Sequence, residues 1–416
     1  MTTEAPTAPS FGRVLTIPGA PVMFSFAVIG RLSYGMIPIG MVLAVAKGSG
    51  SFAVAGASVA LFGVASLTMP LKSRALDRMG LRIPLITMAL ATAATWTFLG
   101  MVAIRADDGN ALLMMVLGLT SGICAPPLGP AMRVAWRYLT ASEPRMTERA
   151  YMLDSVVEET LYLIGPLTVG VLLAVAHPSV VLWVCSGLLL LGTVGMVLPP
   201  RVRRMRSQQP TRTPAKPVLR IGPIRDPRLM AISVAMLVTA IGLSNVYTAV
   251  AGHAARLGRP EIAGYVGATM SLVSLLGGIV WTRRRARTNY VYAMAGFLGW
   301  LAAWVGLAAL WADRTFVSLA LLAISAAVVA PWFTVAYLAA DSASNEDEKT
   351  EAMTWVNTSN NLGSAAGSAL GGVILNAFSG SGVAYAASAL LYLVGALAMS
   401  GLAFARGGSW LGVASR

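Results

Sequence analysis

Charge is scarce in this chain: Asp, Glu, Lys and Arg make up 12% of 416 residues, whereas 56% are hydrophobic. Soluble domains carry about a quarter charged residues, so this composition excludes a set of water-soluble domains and leaves membrane spans to account for the apolar excess. Cysteine is nearly absent. The two present, Cys124 and Cys185, fall inside different apolar runs, which excludes a disulfide framework and a zinc site. Histidine is equally rare, with only His177 and His253. No phosphate-binding glycine loop, nucleophile elbow or metal-ligand cluster occurs, so neither an enzyme nor a self-contained ATP-driven pump is expected, and no cofactor is required.

What the chain does contain is apolar runs. Crossing a hydrocarbon core about 30 Å thick takes roughly 20 mainly apolar residues. Twelve runs of that kind are centred near Leu32, Leu61, Thr92, Leu119, Ile164, Leu190, Thr239, Val273, Leu298, Ala326, Ala365 and Leu391. The first follows a polar head with Pro6 and Pro9, is too long for a signal-peptide core, and is read as retained.

The net charge of +14 is distributed by side. With the N-terminus inside, inner loops take four basic residues from Lys72 to Arg82, four from Arg133 to Arg149, nine from Arg201 to Arg228 and four from Arg283 to Arg287. Outer loops take only Lys47, Arg105, Arg256, Arg259 and Arg314. This asymmetry predicts cytoplasmic termini and an even span count. The basic loops then face anionic lipid headgroups rather than nucleic acid. Arg outnumbers Lys, and with abundant Ala and Gly this suggests a bacterial plasma-membrane protein, read as a monomer.

One long connection, residues 199–228, is rich in Pro, Arg, Gln and Thr and too polar to fold alone. It divides the chain into a first six-helix bundle, residues 1–198, and a second, residues 229–416. The halves echo each other. Glu148-Arg149-Ala150 precedes Gly165 by the interval at which Thr350-Glu351-Ala352 precedes Gly367, and Ala125-Pro126 is echoed by Ala330-Pro331.

The turn between the second and third runs reads Ser73-Arg74-Ala75-Leu76-Asp77-Arg78-Met79-Gly80-Leu81-Arg82. It resembles the Gly-x-x-x-Asp-Arg-x-Gly-Arg-Arg loop of the major facilitator superfamily, with Ser73 and Leu81 departing from that pattern. The resemblance implies an all-α membrane fold of twelve helices in two six-helix bundles related by pseudo-two-fold symmetry. It also implies alternating-access transport of a small molecule. By the same resemblance the first, fourth, seventh and tenth helices line the cavity, and Asp77, Arg78, Gly80, Arg82 and Arg133 form a cytoplasmic gate.

A charge in mid-membrane is expensive, so Arg31 in the first run is a functional candidate. Asp154, Glu158 and Tyr162 recur at four-residue intervals on one helix face, with Glu159 about 100° round. These acids and Arg31 form the candidate proton-coupling set, the proton gradient serving as energy source. The alternative is a salt-bridge cluster with Arg78, Arg82 or Arg133 at the inner mouth. Substrate-binding candidates are Arg31, Tyr34, Asn245, Tyr247, Trp332, Asn357, Asn360 and Asn361. Gly165-Pro166-Leu167-Thr168-Val169-Gly170 partly resembles the Gly-Pro-x-x-Gly-Gly core of drug/proton antiporters. It points to proton-coupled efflux of amphipathic or drug-like molecules. The alternatives are uptake or facilitated diffusion of a polar or anionic metabolite, and a non-transporting receptor or partner protein.

Overall fold

The computed structural model describes residues 11–105, 110–140, 143–199, 225–283, 289–344, 349–378 and 380–406. Among these residues the regular structure is helical throughout, and each predicted centre falls within a helix. Ten helical segments are long and apolar enough to cross a membrane: Ala20–Ser49, Arg82–Ile104, Ala111–Leu139, Arg149–Val175, Pro178–Val197, Pro227–Arg256, Glu261–Trp281, Tyr290–Leu310, Thr315–Ser342 and Gly382–Ala405. The other two positions differ for visible reasons. The second span is broken into Phe52–Val64 and Met69–Met79 by a tight turn of helix, Ala65–Thr68, just before Pro70. The eleventh, Lys349–Ala377, is continuous, but its Asn, Ser and Thr residues dilute its hydropathy. The linker from 200 to 224 and Arg284 to Arg287 lie outside the described residues.

Local chemistry sets the helix starts. Ser51 accepts a hydrogen bond from the Val54 amide at 3.4 Å, Asp226 from Arg228 at 2.7 Å and Asn289 from Val291 at 3.0 Å. Each satisfies an amide that the first helical turn leaves unpaired. Pro144, Pro178 and Pro227 open their helices, where the missing donor costs nothing.

Packing in the first six spans is repeated in the last six. The first span packs on the sixth and fifth, the third on the sixth, and the second on the fourth. Correspondingly, the seventh packs on the twelfth and eleventh, the ninth on the twelfth, and the eighth on the tenth. Between the two sets, the second span meets the eleventh and the fifth meets the eighth. These crossings depend on glycine. A Cβ on Gly56 would lie 2.9 Å from the Gly372 Cα, and one on Gly264 would lie 2.5 Å from the Pro166 carbonyl oxygen. Both crossings lie toward the end where the first span finishes at Ser49. There Ser51 donates to Asn376 Oδ1 at 3.1 Å, and the Arg256 guanidinium sits 5.7 Å from the Phe52 ring centre. Arg256 also donates to the Phe378 carbonyl at 3.0 Å and to that of Leu375, closing the end of the eleventh helix. Residues from both halves thus seal that end.

The fourth span is interrupted. Its first helix ends at Cys124, Ala125-Pro126-Pro127 is non-helical, and Leu128–Leu139 resumes. Consecutive prolines remove the donors that would continue the ladder. Lys72, 5% exposed, fills the gap, donating to the Gly122 and Ala125 carbonyls at 2.9 Å each. A cation at the negative end of a helix is electrostatically favourable. The tenth span is irregular at the equivalent place, Ala326–Val328, before Pro331.

Candidate functional site

The half-helix after the break carries Arg133, the fifth span carries Asp154 and Glu158, and the first carries Arg31. These four charges meet. Arg31 Nη1 lies 2.6 Å from Asp154 Oδ1, and Arg31 Nη2 lies 2.9 Å from Glu158 Oε2. The first is a hydrogen-bonded ion pair. The second is a close charge contact whose N–H is not aligned for a hydrogen bond. Arg133 stands further off, with Nη2 at 3.5 Å from Glu158 Oε2 and Nε at 4.0 Å from Asp154 Oδ2.

Burial divides the four. Arg31 and Asp154 are 5% and 1% exposed, so their pairing is dry. The Glu158 side chain is 36% exposed and that of Arg133 55%, so these two are accessible at the protein surface. The face reading of the fifth span explains the geometry: Leu161 and Gly165 continue the Asp154 and Glu158 stripe and press on Gly35, where a Cβ would lie 2.8 Å from the Leu161 carbonyl oxygen. That stripe aims both acids at the first span. Tyr162, further round, is exposed, and its carbonyl accepts from Ser271 of the eighth span at 2.9 Å. The Glu159 side chain lies outside the described residues.

The other site candidates separate into groups. Tyr34 donates to the Pro126 carbonyl at 2.7 Å, so it holds the break in the fourth span. Asn245 is fully buried and donates to the Ala384 carbonyl and Ser388 Oγ at 2.7 and 2.8 Å, bracing the seventh span on the twelfth. Trp332 is also fully buried. Tyr247 is half-buried beside Ser271. In the eleventh span, Gly363 and Gly367 approach Leu237 and Ile241, while Gly372 approaches Gly56. At 100° per residue Asn357 falls between those two contact faces, while Asn361 lies about 20° from Gly372, toward the second span. Asn360 falls beside Gly367, toward the seventh span. Asn357 is exposed, and the other two are half-buried.

At the gate loop, Gly80 has φ 77°, a conformation that disfavours any side chain. Arg78 is exposed and Arg82 half-buried, and neither joins an acid among the described residues. The Asp77 side chain lies outside them. Of Arg78, Arg82 and Arg133, only Arg133 comes within 4.0 Å of Asp154 and Glu158 among the described residues.

Three participants carried no signal in the local sequence. Lys72 looked like loop charge, Arg256 like an outer-loop residue, and Tyr337 of the tenth span like one aromatic among many. Yet Tyr337 lies within electrostatic reach of both Arg133 and Glu158 from the opposite set of helices.

The family model of the Major Facilitator Superfamily matches residues 23–283. The chain belongs to that superfamily. This major facilitator protein also resembles solved structures along nearly its whole length. The nucleoside transporter NupG (D323A mutant) superposes with a TM-score of 0.71 at 12% identity, covering 92% of this chain and 99% of the other. A bacterial homologue of the iron transporter ferroportin in an inward-facing state gives 0.63 at 15%, covering 94% and 100%. A POT family transporter in complex with a thioalcohol-conjugated peptide gives 0.65 at 13%, covering 94% and 96%. At these identities the likeness establishes the fold alone. No curated protein matches the chain in sequence. The chain is thus a multi-pass membrane transporter rather than an enzyme.

Proposed function

We propose that the protein is a proton-coupled secondary transporter of the plasma membrane, working by alternating access, with Glu158 as its proton carrier. The observation that supports this is the split within the charge network. Asp154 is sealed against Arg31 at 2.6 Å and 1% exposure, whereas Glu158 is shared between Arg31 and Arg133 and accessible at the protein surface. An acid that can exchange a cation partner for a proton, beside a permanent ion pair that keeps Arg31 neutralised, is the element that coupling needs. Residues 1–198 and 229–416 act as the two rocking bundles, joined by the 199–228 linker. With the termini cytoplasmic, the end sealed by Ser51, Gly56, Gly372 and Arg256 is the outer one, and the charge network faces the cytoplasm.

The Gly165–Gly170 segment was the reason to favour efflux of amphipathic molecules. Here Gly165 packs on Gly35, while Pro166 and Gly170 pack on Gly264. A mechanical role in closing the outer end accounts for these contacts and is neutral as to direction. Uptake of an anionic metabolite gains support from the accessible Arg133 cation.

The proton assignment can be checked without a known substrate. Spin labels at Val175 and Leu257, on outer ends of opposite bundles, should report a distance distribution that changes between alkaline and acid pH. Glu158→Gln should abolish that change. A Glu158→Gln protein that keeps the full pH response would sink the assignment.

A further inference from the structure

Arg133 is the cation of the network with capacity to spare. A guanidinium offers five donors, and its nearest carboxylate oxygens, at 3.5 and 4.0 Å, are beyond a good hydrogen bond. Arg31, the residue expected to bind an anion, is closed to one: it is 5% exposed, with an acid against each Nη at 2.6 and 2.9 Å. An intramembrane Arg that reaches water without a close partner marks an anion site.

We propose that Arg133, with Tyr337 facing it from the other bundle, binds the carboxylate of a small monoanionic substrate, which enters together with a proton on Glu158. This rests on the proton-carrier reading above. Glu158 faces Arg31, Arg133, the Asp154 carboxylate and the Tyr337 hydroxyl. Two Arg and two carboxylates are neutral together. A monoanion added alone leaves one uncompensated negative charge in a low-dielectric site. A proton taken from the cavity water onto Glu158 cancels it and frees the Arg133 Nη2 that Glu158 had attracted. No other bond forms or breaks. The substrate carboxylate takes the place of the Glu158 carboxylate on the same guanidinium, which favours a carboxylate with one charge over a dianion. Binding linkage is reciprocal, so proton and anion strengthen each other's binding rather than compete. Co-binding makes the coupled process a symport, and an inward proton gradient then drives uptake. Tyr337 gives the anion a contact in the second bundle, so that occupancy can bias how the bundles rock.

The test is calorimetric titration of the full chain in nanodiscs with benzoate, against uncharged benzamide and inorganic phosphate, in paired buffers that reveal proton uptake. Wild type should bind benzoate more tightly at acid than at alkaline pH, taking up a proton. Arg133→Gln should weaken binding by at least about tenfold, with Arg133→Lys retaining part of it. Glu158→Gln should bind equally well at both pH values. Benzoate bound no better than benzamide or phosphate, failure of benzoate to bind wild type and Glu158→Gln alike, or unchanged affinity in Arg133→Gln would overturn the anion site. If Arg133→Gln loses binding while Glu158→Gln keeps the wild-type pH dependence, the proton assignment falls and the anion site stands.

Discussion

Replacing Arg31 by Met removes the partner of two acids at once. Asp154 would keep only Arg133, 4.0 Å away, and would have 1% of its surface in contact with solvent. Breaking a buried pair from one side costs about 3–5 kcal/mol because a desolvated charge is left behind. Arg133 is half-exposed and sits on a flexible stem, so it can swing about 1 Å toward Asp154 and recover part of the loss. The expected cost is therefore near about 3 kcal/mol, the lower end of that range. Asp154→Leu should cost less, because Arg31 keeps Glu158 at 2.9 Å.

The decisive variant combines the two. Arg31→Met with Asp154→Leu replaces the buried pair by apolar side chains of similar size, a change that is often neutral or stabilising. The double variant should be more stable than Arg31→Met alone, with an interaction energy of at least about 3 kcal/mol across the cycle. Reversible unfolding by SDS in mixed micelles measures all four proteins on one scale. If the double variant is as unstable as the sum of the singles, the two residues are not coupled, and the network described for the first and fifth spans is wrong.

Other consequences follow from the same geometry. Gly372→Ala places a methyl group against the Phe52 carbonyl, with the Gly56 Cα 3.0 Å away, at the crossing of the second and eleventh spans assigned above to the closed outer end. Overpacking costs about 1–3 kcal/mol, so the Val175 to Leu257 label pair should shift about 5- to 150-fold toward the longer distance; an unchanged distribution would refute the outer seal. Lys72→Met removes two charge-assisted hydrogen bonds from the broken fourth span and also relieves a buried cation, for a net loss of about 2 kcal/mol in the same unfolding assay; wild-type stability would show the break needs no cap. His177 caps the sixth span by accepting from the Ser179 amide at 3.2 Å. Burial, and then the charge of Lys47, holds its pKa below the usual histidine value. A base with a lowered pKa contributes fully above its unfolded value, about 6.5, and loses that contribution as pH falls below it. Acid should therefore loosen the start of the sixth span, read as faster amide exchange at Ser179, and His177→Ser should remove the pH dependence while retaining the cap.

The elements legible in the sequence were those written within one helix. Four-residue spacing put Asp154 and Glu158 on a shared face, and the cost of a charge at Arg31 predicted that something would answer it. The Ala125-Pro126 and Ala330-Pro331 echo matches two positions where the helices are irregular, though in the sequence it marks only a repeat. What stayed hidden depends on which helices meet. Lys72 belongs by sequence to a run of inner-loop charge, but the break at Ala125 opens carbonyls beside it and turns it into a buried cap. Asn245 and Asn361 are both amides in polar stripes. Only the packing of the seventh span on the twelfth makes Asn245 a brace, and only the crossing at Gly372 turns Asn361 toward the second span. The two arginines show the same limit. A charge in mid-span looks functional in proportion to its cost, which singled out Arg31. In the folded protein that cost is met by two carboxylates, and the spare capacity passes to Arg133, which looks cheap because it sits near a helix end. Cost therefore locates where the fold needs compensation. A binding role follows from what is left uncompensated, and only the assembled network reveals that remainder.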